Sequence, residues 1–199
     1  MPSIREHETL LVKRFVASFE KLNDMVADSI LDPVAWQLAS GDPNEIGLKV
    51  WRPVNSVTDR SELESIYAKL PARFPPIYER LILSYRWAEI DLQLFTLLAN
   101  PPGLDFSGLL GEMSKDQTLW DALLKSGFIQ FGKGADMDYD PVCFDLTSRK
   151  KNRDCRVVKI DHEEILSNNR VKVVAEIAES FEDLVLLTIA AADRQAESS

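Results

Sequence analysis

The sequence is poor in the groups from which metal sites and disulfide frameworks are built, with two cysteines and two histidines in 199 residues. Neither Cys143 nor Cys155 belongs to a C-x-x-C pair, so a thiol redox centre or a zinc ribbon has no starting point. With only His7 and His162 present, a three-ligand zinc site would have to recruit carboxylates. Long apolar runs are also missing: Leu184 to Ala192 spans nine residues and includes Thr188, against the ~20 that a membrane span needs. The start, MPSIREHETL, has no apolar stretch behind a basic one and does not read as a secretory signal. The expectation is a cytoplasmic chain away from membranes, whose two thiols stay reduced and fill the core.

Positive charge is in deficit. Against 32 Asp+Glu stand 23 Lys+Arg, a formal net charge of -9. The excess is spread, since residues 1–100 carry 11 basic and 14 acidic groups and the remainder 12 and 18. Nucleic acid is therefore not an expected partner, because neutralising phosphates takes a clustered positive surface. An acidic surface keeps a chain in solution and steers basic partners toward it. What is present in quantity is apolar: 45% hydrophobic and 28% charged residues exclude disorder and a collagenous repeat. A chain of this size buries roughly 70% of its unfolded surface, so one domain over 1–199 is expected.

Leu11, Phe15, Phe19, Leu22 and Val26 recur every three or four residues and predict an amphipathic helix over 9–26. From Asp32 to Asn55 prolines and glycines punctuate the chain, giving an extended loop pinned by Trp36 and Trp51, with a short strand around Leu48 to Trp51. Ser61 and Glu64 form a capping-box pattern ahead of Leu63, Ile66, Tyr67 and Leu70, and Pro71 closes that helix. A second helix starts near Pro75 and Pro76 and carries Ile77, Tyr78, Leu81, Ile82 and Tyr85. Alternation at Ile90, Leu92 and Leu94 predicts a half-buried strand. Helical patterning around Leu119, Leu123 and Leu124 stops at Gly127. Strands are expected at Phe128–Phe131, Val142–Leu146, Arg156–Ile160 and Val171–Val174, with a short helix at Glu163–Leu166 capped by Asp161. Ser180 and Asp183 open a terminal helix whose last residues fray. Helices, then strands, then a helix is an α+β order with a mixed or mainly antiparallel sheet.

Several stretches, in this order, resemble the SUKH superfamily, which includes the Smi/Knr regulators and the Syd protein. They are Leu70-Pro71 followed by Pro76-Ile77-Tyr78-Glu79-Arg80-Leu81-Ile82-Leu83-Ser84-Tyr85, similar to L-P-x-x-Y-x-x-L-L-x-x-Y; Gly127-Phe128-Ile129-Gln130-Phe131-Gly132; the strand ending in Asp145; and Ser180-Phe181-Glu182-Asp183-Leu184. The resemblance covers about residues 60–190. It departs from the family at Arg86-Trp87, where an Asn-Gly turn is common, and in the longer route from Pro71 to Tyr78. It implies a SUKH-like α+β domain without catalysis of its own, used as an immunity protein against toxins or as an intracellular interaction module.

The chemistry of the residues is sparse. Asp136, Asp138, Asp140 and Asp145 lack the EF-hand spacing, since Pro141 stands where its glycine would be and Thr147 where its last ligand would be. They read as a solvated turn, and otherwise as an acidic recognition patch. His162-Glu163-Glu164 resembles the start of a zinc-protease helix, but Leu166 occupies the second histidine position. Gly127, Gly132 and Gly134 are followed by no Lys-Ser/Thr pair and read as strand-edge turns. Tyr85-Arg86-Trp87 combines residue types enriched in interface hot spots, with core aromatics and a stacked arginine as the favoured alternative. Trp36 and Trp51-Arg52 pose the same choice, and their place in an irregular segment favours partial exposure.

The expected function is binding of a protein partner, foremost a basic toxin domain, with no cofactor, no metal and no catalysis. The expected surface comprises Trp51, Arg52, Tyr85, Arg86, Trp87, Asp136, Asp138, Tyr139 and Asp140. The alternatives are a regulatory or scaffolding module, and a metal-dependent hydrolase built on Asp136, Asp138, Asp140 and Glu163.

Overall fold

The computed structural model describes residues 4–103 and 105–198. The chain opens with α1 (Ile4–Leu22), which buries Leu11, Val12, Phe15 and Phe19. The helix stops before its expected end: Met25 takes a left-handed backbone (φ 48°), and Val26 leaves in β1 (Val26–Ala27), 45% exposed. The punctuated segment then holds more order than its prolines suggest. Pro33 starts the short helix α2 (Pro33–Leu38), its fixed φ suiting a first turn. β2 (Ala39–Ser40) and β3 (Lys49–Trp51) follow, and the three strands form a small sheet in the order β1-β3-β2.

β4 (Val54–Asn55) leads to a turn of 3-10 helix, Arg60–Glu62, and to α3 (Leu63–Tyr67). The cap here is Asp59, whose carboxylate accepts the N–H of Ser61 at 2.8 Å. Ser61 donates its hydroxyl to the same oxygen, while Glu64 turns away to Arg73 at 2.8 Å, so the expected capping box does not form. α4 (Pro76–Ser84) begins at its proline pair as the sequence predicts, and Tyr85 already belongs to β5 (Tyr85–Arg86), paired with β4.

The alternation at Ile90–Leu94 becomes a hairpin, not one strand. β6 (Ile90–Asp91) ends where the Asp91 carboxylate captures the Gln93 N–H at 2.7 Å and Gln93 turns left-handed (φ 67°). The chain returns as β7 (Thr96–Leu97). After α5 (Ser107–Met113) and α6 (Gln117–Lys125), Gly127 at φ 84° reverses direction into β8 (Phe128–Lys133). β9 (Pro141–Asp145), β10 (Val157–Ile160), α7 (His162–Asn168), β11 (Val173–Ala178) and α8 (Phe181–Ser198) complete the order. Against the expected fraying, α8 keeps its helix to Ser198, while Ser199, like residues 1–3 and 104, lies outside the described residues.

The main sheet has six strands in the order β11-β10-β9-β8-β7-β6, every pairing antiparallel. Its alternation sends Ile129, Phe131, Val142, Phe144 and Val157 to one face, where α1, α3, α4 and α8 close an aromatic core. There Phe131 and Phe144 stack at 4.1 Å, and Tyr78 meets Phe144 and Phe181 edge-on at 5.2 and 5.4 Å. Cys143, Val158 and Ile160 point to the other face, against Leu123 of α6 and Ile165 of α7. Covered on both sides, β9 is buried at every residue. The fold is α+β, with antiparallel sheets packed against several helices. Among the described residues no helix is long and apolar enough to cross a membrane.

Candidate functional site

The nine residues expected to share a surface divide into two groups. Trp51 (4% exposed), Arg86 (2%) and Trp87 (0%) are core residues and offer a partner no contact area. The Trp87 indole donates to the Leu98 carbonyl at 2.9 Å. Arg86 donates to the Ile82 carbonyl and the Thr58 hydroxyl, both at 2.7 Å, and lies 4.8 Å from the Phe106 ring centre. Burial pushes the Arg86 guanidinium below its ordinary pKa, with Asp105 opposing that shift. Tyr85 is half-buried in β5. Arg52 is exposed but held by Glu20. Interface-type residues at the end of α4 are thus packing residues, because the chain turns there directly into β5 against the core.

The acidic turn lies at the surface, between β8 and β9. Asp136 and Met137 are both left-handed (φ 55° and 62°), a conformation that costs a non-glycine residue about 1 kcal/mol or more. The pair makes a primed turn closed by the Asp138 N–H on the Ala135 carbonyl at 3.0 Å, the type whose twist suits a hairpin. Gly134 is required there, since a Cβ would sit 2.3 Å from the Asp138 carboxyl carbon. The turn lifts Met137 (84% exposed) and Tyr139 (65%) into solvent.

Most of its charge is spent within the fold. Asp138 binds Lys159 at 2.7 Å, and Asp140 Oδ1 takes both the backbone N–H and the Nδ1 of His162, at 3.0 and 2.7 Å. Burial alone would raise the Asp138 carboxyl, but the Lys159 ammonium and the Asp140 N–H outweigh it and leave its pKa below the ordinary value. Asp145 is 3% exposed and clamped by Arg156 at 2.8 Å and by Thr147. No group of three or more His, Cys, Asp or Glu placed to hold a metal occurs among the described residues. Asp136, Asp138, Asp140 and Glu163 do not form such a group.

Beside this turn the sheet face that carries Gln130 and Lys133 opens into a groove of about 510 Å³ between α5, α6 and α7. Tyr139 and Leu166 (53% exposed) form its apolar wall, with the His162 ring 6.5 Å from the Tyr139 ring. Glu89, Glu112 and Asp116 also line it, with Lys115 3.8 Å from Glu112. Lys133 bridges the two parts, 2.7 Å from Glu89 and 5.8 Å from the Tyr139 ring centre. Of the expected residues, Tyr139 alone lines this groove. The groove's acids come from two separate stretches, Glu89 and the Glu112–Asp116 junction of α5 and α6, with no shared motif, and Leu166 reads in sequence as an ordinary helix position.

Compared with protein-family models, with curated proteins and with solved structures, the chain matches none.

Proposed function

We propose that this chain is a non-catalytic protein-binding domain that docks and neutralises a basic toxin domain through the Tyr139–Leu166 groove. The observation that carries the reading is that an exposed aromatic, Tyr139, and an exposed aliphatic, Leu166, line one groove together with Glu89, Glu112 and Asp116, three acids against the two lysines Lys115 and Lys133. Apolar anchors in a pocket supply binding energy, and surrounding acids orient a positively charged partner. The net charge of -9 acts in the same direction over longer range. The SUKH-like order of motifs supports an immunity role, and the antiparallel α+β architecture accommodates it.

The test is co-expression with a toxin domain encoded beside this chain's gene, in a host that the toxin kills. Rescue is expected, with association slowing as salt rises because attraction is screened over about 8–10 Å. Tyr139→Ala combined with Leu166→Asp should abolish rescue and leave the melting temperature near that of the parent. No rescue, or rescue unaffected by that pair, would reject the reading in favour of a regulatory module.

A further inference from the structure

A second cavity lies away from the docking groove, on other elements, and its charge runs against that of the whole protein. It encloses about 660 Å³ between the start of α1, the 56–60 segment, α4 and the turn at Arg153. Arg5, Arg60, Arg80 and Arg153 line it, against two carboxylates, Glu8 and Glu79. In a chain of net charge -9 this is a local excess of positive charge.

Glu79 organises the cavity. It is 4% exposed and takes the Tyr67 hydroxyl at 2.6 Å, with Arg153 at 3.2 Å and Arg60 also against it. Two guanidinium groups are thus fixed by one carboxylate and the charge between them is not cancelled. Arg80 is only loosely held, 3.8 Å from Glu8. Arg60, Arg80 and Arg153 keep 54%, 34% and 34% of their side chains exposed, so their free N–H groups remain accessible to a ligand. Guanidinium groups held in place lose little freedom on binding and match the oxygens of a phosphate two at a time. At the mouth Val57 and Ile4 (79% exposed) offer apolar contact to whatever the anion is attached to.

The geometry points to a binding site for a small phosphate-bearing molecule, its phosphate among Arg5, Arg60, Arg80 and Arg153 and its remainder over Val57 and Ile4. The site does not depend on the protein-docking reading, and either can fail alone.

Pyrophosphate, ATP and citrate are the probes, titrated at constant ionic strength against the full chain while its melting temperature and heat of binding are followed. Pyrophosphate and ATP should raise the melting temperature saturably, as any ligand selective for the native state does. Arg5→Gln with Arg80→Gln leaves the Glu79 cluster intact, so the free protein should melt as the parent does. That double variant should weaken pyrophosphate by at least about tenfold, the size expected for lost charged hydrogen bonds. No saturable response below about 10 mM, or an equal response in parent and variant, overturns the site. Citrate binding as tightly as pyrophosphate overturns the assignment to phosphate.

Discussion

The carboxylate of Asp154 caps a helix that begins 27 residues later in the chain: its Oδ1 accepts the Phe181 N–H at 3.0 Å. The same oxygen takes the Cys155 N–H at 2.9 Å, and Oδ2 the Glu182 N–H at 3.4 Å. Asp154 is 3% exposed, so its removal would leave these donors at the start of α8 without water to replace it. Asp154→Ala should cost about 2–4 kcal/mol and Asp154→Asn, which keeps one acceptor, about half as much. Urea unfolding of the three proteins checks this.

That cap marks the boundary of what sequence reveals here. The partner cap is local and legible: Ser180 donates to Asp183 at 2.6 Å and receives its N–H at 3.1 Å, as the spacing predicts. β8, β9, β10 and α4 are legible for the same reason, because the apolar residues that mark them lie within the element itself. Tertiary partners leave no such trace. The favoured reading of Arg86 and Trp87 as a core aromatic with a stacked arginine holds, although the ring that Arg86 meets is Phe106, twenty residues away, and the groove likewise draws Glu89, Glu112, Tyr139 and Leu166 from segments far apart in the chain. The Asp136–Asp140 turn was visible as acidic, but its neutralisation by Lys159 and His162 was not.

Two glycines should respond in opposite ways. Gly132 reads in sequence as a strand-edge turn, yet it sits inside β8, where a Cβ would lie 2.7 Å from the Thr96 carbonyl oxygen and 3.1 Å from the Phe95 ring. A backbone neighbour cannot step aside, so Gly132→Ala should destabilise by about 1–3 kcal/mol. Gly111, within α5, faces nothing within 4 Å, and Gly111→Ala should stabilise by roughly 0.5–1 kcal/mol through helix propensity. Thermal melts of both variants measure the contrast.

Both thiols are fully buried. Burial raises the Cys143 thiol, and burial with Asp154 nearby pushes Cys155 up to about 12. A thiolate is the reactive form, so a disulfide reagent at pH 8 should label neither cysteine in the folded protein and both in denaturant. Labelling without denaturant should be no faster than the opening of the fold.

Acid sensitivity should trace in part to Asp138. Its native pKa lies below the ordinary value, so the folded state binds fewer protons there than the unfolded state does. The stability it contributes is complete above the unfolded value of about 4 and is lost as pH falls through the depressed native one. The stability difference between the parent and Asp138→Asn should therefore be largest near neutrality and shrink toward pH 3, as read from urea midpoints across that range.

Tyr67 and Tyr78 separate a hydroxyl that is paired from one that is not. Tyr67 donates to Glu79 at 2.6 Å, and Tyr67→Phe should cost about 1–2 kcal/mol because a buried carboxylate loses a partner. Tyr78 is 0% exposed at the centre of the aromatic core, among Phe74, Phe131, Phe144 and Phe181, and its hydroxyl has no hydrogen-bond partner among the described residues. Leaving a buried hydroxyl unsatisfied forfeits roughly 1–3 kcal/mol of solvation. Tyr78→Phe keeps the ring and its edge-on contacts while removing that group. It should be neutral or stabilising by up to about 1 kcal/mol, whereas Tyr78→Leu should destabilise by loss of the ring contacts. A cost above about 1 kcal/mol for Tyr78→Phe would mean that the hydroxyl does find a partner in solution.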